Sequence, residues 1–268
     1  MAEPASALDA AWCVPAFDVP LWLGRRHAYC VAIPVINEGE RLSRLLARMQ
    51  PLGITEETDV MVVDGGSTDG SVDLHRLRAT GVRGLIVKTG AGGLSAQLRC
   101  VYAHALRQGY DGIITIDGND KDDPEAIPRM IEALKSGVDF VQASRFIPGG
   151  IAQNTPKLRE VAIRWLHAPL VSLSSGHLWT DTTQGFRAYS RRLLLDPRIA
   201  PFRKVFDTYE LLAYLSCRAP RLGYRCVELP TARRYPADEV PTKIGKYFGN
   251  LSLFTILVRA CLGRFDPR

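Results

Sequence analysis

The sequence predicts an α/β fold: a mostly parallel sheet with helices on both faces, followed by a less regular second half. Three observations lead there. From Tyr29 to Ala143, short apolar runs of strand length alternate with stretches whose apolar residues recur at helical spacing. The short runs are apolar throughout, as strands covered on both faces are. Several of them end abruptly in polar or acidic loops, at the carboxyl edge where open sheets place ligands.

Before about His27 the periodicity is weak, and residues 1–28 read as an N-terminal extension. The first strand is expected over Tyr29–Pro34. A helix follows from Glu38 to Met49, with Leu42, Leu45, Leu46 and Met49 on one face. Asp59–Val63 is the second strand, and Ser71–Ala79 a short helix. Gly84–Val87 is the third strand. A Gly-rich loop, Thr89–Gly93, then leads into a helix carrying Leu94, Leu98, Val101, Tyr102 and Ala105. Ile113–Ile116 reads as a buried strand. Behind it Asp123 is placed as an N-cap, Pro124 at the first helical position and Glu125 in the first turn. Ile127, Met130, Ile131 and Leu134 mark the helix, and Val138–Ala143 another strand. In the second half Leu158–Leu173 has a helical pattern, Leu193–Leu195 and Tyr209–Leu215 look helical, and Tyr224–Leu229 looks like a strand. Asp238–Lys243 is a polar loop before a terminal helix. This divides the chain into the extension, a main domain over 29–240 and a helical tail over 241–268 that packs on the domain or on a membrane surface.

The chain has 268 residues, 46% of them hydrophobic, with a net charge of +6. That charge favours anionic partners. No basic run with interleaved aromatics suggests a nucleic-acid face. Six cysteines without a CxxC pattern and five histidines without ligand spacing argue against a zinc site and for reduced thiols. No secretory signal is apparent. No apolar run reaches the roughly 20 residues a membrane span needs. The expected location is cytoplasmic, with a peripheral contact at the inner face of a membrane compatible with the sequence, as is a homodimer.

The chemistry gathers at three strand ends. Asn37 and Glu38 follow the first, beyond Pro34. Asp64, Gly65, Gly66, Ser67 and Asp69 follow the second. Asp117-Gly118-Asn119-Asp120-Lys121-Asp122-Asp123 follows the fourth. Each segment alone is explained by turn and helix-cap chemistry. In a parallel sheet, however, all three converge on one crevice. Clustered carboxylates there need a counter-charge, and a hard divalent cation shared with substrate phosphates is the usual one.

Here a resemblance becomes specific. Pro34, Asn37 and Glu38, then Val62-Val63-Asp64-Gly65-Gly66-Ser67-Thr68-Asp69, then Asp117-Gly118-Asn119 resemble the ordered motifs of family 2 glycosyltransferases of the GT-A fold. Asp117 to Glu125, Ala143-Ser144-Arg145-Phe146, Thr183-Gln184-Gly185-Phe186-Arg187, Arg233, Arg234 and Pro241-Thr242-Lys243 are most similar to the polyprenyl-phosphate (dolichyl-phosphate type) sugar transferases. The resemblance covers residues 29–245. It implies a GT-A-like, Rossmann-like sheet and transfer of a sugar from a nucleoside diphosphate sugar to a lipid phosphate or hydroxyl, with inversion and with Mg²⁺ or Mn²⁺. Asp117 and Asn119 would hold the metal. Pro34, Asn37, Glu38, Asp64, Gly66 and Ser67 would line the nucleotide pocket.

Two departures stand out. Gly65 replaces the second Asp of the Asp-Asp-Gly-Ser signature, and Asn119 the second Asp of Asp-x-Asp. Asn can still offer a carbonyl oxygen but no charge. Asp120 or Asp122 could make up the loss, and Lys121 could meet the diphosphate as a point charge. A hydroxyl acceptor would need a general base. Asp207 and Glu210 are the candidates, their alternative being first-turn acids of a helix. A lipid phosphate needs none, and Arg145, Arg233, Arg234 and Lys243 would bind it. The turn Asp181–Gln184 could shape the acceptor or sugar pocket. The Leu158–Leu173 helix, with Arg159, Arg164 and Trp165, is either core or a membrane-interface helix. The rival readings are a sugar-1-phosphate nucleotidyltransferase, which would open with a Gly-rich basic loop after the first strand, and a non-catalytic nucleotide-sugar binding protein. A dinucleotide-binding dehydrogenase is disfavoured because no G-x-G-x-x-G follows that strand.

Overall fold

The computed structural model describes residues 12–236 and 248–267. Its elements begin with β1 (Phe17–Trp22), β2 (Tyr29–Val35), α1 (Glu40–Met49), α2 (Ile54–Glu57), β3 (Asp59–Asp64) and α3 (Leu74–Ala79). Next come β4 (Gly84–Lys88), α4 (Leu94–Arg107), β5 (Gly112–Thr115), α5 (Ile127–Lys135) and β6 (Phe140–Ser144). The second half holds β7 (Ile151–Gln153) and α6 (Lys157–Ala162), which continues through a π turn at Ile163–His167 into α7 (Ala168–Ser175). It ends with β8 (Arg187–Ser190), α8 (Arg191–Leu195), α9 (Glu210–Arg221), β9 (Cys226–Pro230), β10 (Ala232–Arg234) and α10 (Phe248–Cys261).

Eight strands form one sheet in the order β1-β4-β3-β2-β5-β8-β6-β9. The chain winds outward from β2 through β3 to β4, then returns to lay β5 on the other side of β2, in register Tyr29↔Gly112 to Ala32↔Thr115. The topological switch therefore lies between β2 and β5, and ligands bind at such a point. Successive residues of β2 serve opposite faces. Val31, Ile33 and Val35 pack with α1, α3 and α5, while Cys30 and Ala32 pack with α4, α7, α9 and α10. Coverage on both faces is why these strands carry no alternation.

Two strands run against the rest. β1 pairs antiparallel with β4 at the sheet edge, within residues that the sequence suggested were only an extension. Its burial alternates, and Pro20 is tolerable there because an edge strand need not donate to a further neighbour. β8 lies antiparallel between β5 and β6. It was not anticipated because it opens on a charged residue, Arg187. That guanidinium is fully buried and donates to the carbonyls of Thr182, Gln184 and Leu212. A separate two-stranded sheet joins β7 and β10 in parallel. The helix after β2 starts at Glu40, not Glu38, since Asn37 and Gly39 take positive φ in the connecting turn. The polar loop expected over Asp238–Lys243 lies outside the described residues.

Candidate active site

The loops after β2 and β3 hold each other through their own polar groups. Ser67 donates from N and from Oγ to the Asp64 carboxylate, at 3.0 and 2.6 Å, and its Oγ accepts from Asn37 N at 2.9 Å. The Asn37 amide oxygen accepts from Thr68 N at 2.8 Å, and Gly39 N donates to Asp69 at 2.8 Å. Gly66 sits at φ 103°, a backbone shape that favours glycine. The cap-like role and the pocket role are thus compatible: these side chains fix the loops that would form the wall. Pro34 closes the floor, its carbonyl accepting from Gly118 N. Glu38 is nearly buried and pairs with Arg41 at 3.1 Å.

The departure at Gly65 has a structural partner. Gln97 on α4 reaches under the two loops and donates to the carbonyls of Val35 and Val63, tying β2 to β3. A Cβ at Gly65 would stand 3.2 Å from its amide oxygen. The space an aspartate side chain would need is crowded by a residue that no spacing rule connects to it.

Beyond β5, Asp117 is about one-fifth exposed, with Oδ2 3.4 Å from Arg233 Nη2. Gly185 presses against its other oxygen so closely that a Cβ there would overlap Asp117 Oδ1. The Asn119 side chain turns back to accept from Lys121 N. The two neighbours offered in place of the missing carboxylate, Asp120 and Asp122, are both engaged with arginines, as Asp117 is. Asp120 accepts from Arg44 and Arg48 of α1, and the buried Asp122 pairs with Arg233 at 2.5 Å. Among the described residues no group of three metal-ligating side chains occurs. One carboxylate and one amide carbonyl suit a cation whose remaining ligands are phosphate oxygens and water, as Mg²⁺ accepts, and do not suit a cation caged by protein alone.

A basic cluster adjoins this loop. Lys121 Nζ, the Arg159 guanidinium and the Arg233 guanidinium lie 4.9, 5.8 and 5.7 Å from the centre of the Tyr235 ring. Cations gather favourably over such a ring face. Burial, then the charge of Arg233, pulls Lys121 down to about 8, with Asp117 pulling the other way. Burial also lowers Arg159, and the charges of Arg233 and Arg145 add to that effect. Burial works against Arg233 as well, but Asp122 and Asp117 hold it above the ordinary arginine value. Arg145 is buried and bound in bidentate fashion to Asp181, at 2.6 and 3.0 Å. Burial alone would raise Asp181, but the Arg145 charge and hydrogen bonds keep it below the usual carboxylate range. Arg145 Nη1 and the Tyr235 hydroxyl are buried without a hydrogen-bond partner among the described residues. Arg234, on the opposite side of β10 from Arg233, faces outward beside Asp123. Lys243 lies outside the described residues.

The sequence pattern missed Tyr235 as a site residue and placed Arg159 only on a helix read as either core or membrane interface. Two-residue alternation from Arg233 along β10 would have pointed to Tyr235. Glu210 takes a structural position through its side chain, Asp207 through its backbone. The Glu210 carboxylate accepts from the backbone N–H groups of Asp207 and Thr208 and from the Thr208 hydroxyl, holding the turn that leads into α9. Asp207 holds the Gly-rich loop, its carbonyl accepting from Gly93 N and Ala96 N. Tyr209 lies within reach of the Asp117 charge, which adds to the effect of burial in raising the phenol.

The carboxyl edge of the sheet at the β2/β5 switch, with an Asp-x-Asn loop and a basic cluster beside it, is the architecture of a GT-A sugar transferase. The chain belongs to glycosyl transferase family 2, whose family model matches residues 30–196. It is 33% identical to the undecaprenyl-phosphate mannosyltransferase of Micrococcus luteus, over 74% of this chain and 80% of that one. It is 27% identical to the dolichyl-phosphate hexose transferase of Haloferax volcanii, over 87% of this chain and 93% of that one. Among solved structures it resembles glucosyl-3-phosphoglycerate synthase from Mycobacterium tuberculosis in complex with Mn²⁺, uridine diphosphate and glucosyl-3-phosphoglycerate, at TM-score 0.58 and 21% identity, covering 89% of this chain and 80% of that one. The family match removes the nucleotidyltransferase reading.

Proposed function

We propose that this enzyme transfers a hexose from a nucleoside diphosphate sugar to a polyprenyl phosphate, with inversion at the anomeric carbon. The observation that carries the choice of acceptor is the basic cluster around Tyr235. Lys121, Arg159 and Arg233 surround one ring, and beside them Arg145 Nη1 and the Tyr235 hydroxyl keep unspent donors. Such a cluster suits a phosphate monoester, which arrives already anionic and needs no base to become a nucleophile. The commitment of the Glu210 carboxylate to the turn before α9 supports the same reading. The matched transferases named for undecaprenyl and dolichyl phosphates agree with it.

The donor would lie across the switch point, its nucleoside against the Asn37–Asp64–Ser67 wall and its diphosphate toward Asp117 and Lys121. Asp117 and the Asn119 carbonyl would hold Mg²⁺ or Mn²⁺ together with the diphosphate. That cation would neutralise the leaving group as a Lewis acid. Arg233 orients Asp117, and Gly185 lets the turn after Asp181 close against it. Arg145, Arg159 and Tyr235 would fix the acceptor phosphate in line with the anomeric carbon.

The test is a KM split. Arg159→Ala and Tyr235→Phe are expected to raise the KM for polyprenyl phosphate at least about tenfold while leaving the donor KM within about twofold. Equal loss for both substrates, or none, would remove the cluster from the acceptor's path.

A further inference from the structure

We propose that Cys217 and Cys261 form a dithiol site that closes to a disulfide when a hydroperoxide oxidises it, fastening α10 to α9. Cys217 lies on α9 and is 1% exposed. Cys261 is the last residue of α10 and is partly exposed. The two thiols meet where the helices pack and hydrogen-bond each other. The surrounding contacts fix that meeting. Arg221 stands one turn after Cys217 on the same side of α9. Its Nη2 donates to the Cys261 carbonyl at 2.5 Å and to Ser174 Oγ, on α7, at 2.6 Å. Ser174 Oγ in turn donates to the Cys261 carbonyl at 3.2 Å. Just past α10, Asp266 pairs with Arg218 of α9 at 2.9 Å. Separating the thiols would break these bonds.

Buried thiols ordinarily serve as small apolar side chains. This pair is unequal. The hydrogen bond with Cys217 holds the Cys261 thiol below its ordinary value; burial opposes this, and Ser174 and the Arg221 charge add to it. The same hydrogen bond, together with burial, holds Cys217 above its own. A reachable thiolate beside a protonated, buried thiol is the arrangement of an attacking sulfur and a resolving one.

The chemistry balances in two steps. The Cys261 thiolate attacks one peroxide oxygen and the O–O bond breaks. Cys261 becomes a sulfenic acid, and the departing hydroxide takes up the proton that its thiol had lost. The Cys217 sulfur then attacks the Cys261 sulfur. The S–S bond forms as the S–O bond breaks, and water leaves with the Cys217 proton. The two sulfurs give up two electrons, and hydrogen peroxide becomes two waters. α10 bounds a cleft of about 530 Å³ with Thr208 and Glu210, through Leu251, Thr255 and Arg259, so the bond would hold one wall of that cleft. The site stands independently of the sugar-transfer reading.

The test treats the full-length protein with hydrogen peroxide, alkylates the remaining thiols in denaturant and maps peptides by mass spectrometry. Two of the six thiols should disappear, in a peptide pair joined through Cys217 and Cys261 and lighter by two hydrogens. Dithiothreitol should restore both. The joined form should melt about 5 °C or more above the reduced one, because the bond closes a long loop. Cys217→Ala should leave Cys261 as a sulfenic acid that dimedone traps. Cys261→Ser, at the partly exposed position, should melt at the same temperature with and without peroxide. Peroxide that leaves both thiols free would overturn the proposal. So would a dimer linked through Cys261, overoxidation of Cys261 beside a free Cys217, or a joined form that melts no higher.

Discussion

Glu210 shows how a residue that suits a catalytic role can be spent elsewhere. Its carboxylate holds two backbone N–H groups and a hydroxyl, so removal should act on folding before chemistry. Glu210→Ala should cost about 1–3 kcal/mol of stability, the range for leaving hydrogen-bonding groups without their partner. Glu210→Gln, which keeps an accepting oxygen, should leave kcat within about threefold and the pH–rate profile in place. A loss of more than about a hundredfold in the glutamine variant would restore it as a general base. Asp117 was legible in the sequence because a buried strand delivers it and local spacing fixes its place. The fates of Asp120 and Asp122 were not, since the arginines that neutralise them come from 72 and 111 residues away. Separation along the chain likewise hid the link between Gly65 and Gln97.

Among elements, β8 carries the least legible feature and the sharpest consequence. The turn before it brings Gly185 onto Asp117, and Arg187 anchors that turn by donating to its carbonyls. Gly185→Ala should therefore displace the Asp117 carboxylate while the sheet survives. An activity loss of about 100-fold is expected, since a shift of ~1 Å costs that much in a positioned site. The check is kcat/KM alongside the thermal midpoint. Unchanged activity would mean that the contact between the turn and Asp117 does not matter. The parallel core β2–β5 was readable because strands covered on both faces are apolar without a break. β1 and β8 were not, one for its edge position and one for a buried charge whose partners are backbone carbonyls.

Across the whole molecule, two histidines are buried in neutral form. Burial brings His104, against Trp22, and His167, bonded to Thr182, from 6.5 to about 4. Between those values the unfolded chain binds more protons than the folded one, so stability falls as pH drops from 6.5 toward 4. The loss should be on the order of 1–3 kcal/mol per histidine. Denaturant midpoints across that window check it, and His104→Phe should flatten the slope. A slope that the variant leaves unchanged would place the proton uptake elsewhere. The larger claim is that one crevice at the β2/β5 switch takes a sugar from a nucleotide and a basic cluster beside it supplies the phosphate that receives it. The most direct measurement incubates the protein with Mn²⁺, polyprenyl phosphate and a panel of labelled nucleoside diphosphate sugars, and counts label extracted with the lipid. The account predicts lipid-linked sugar from at least one donor, released by mild acid and absent with Asp117→Ala. No lipid-linked label from any donor, or the same label from Asp117→Ala, would contradict it.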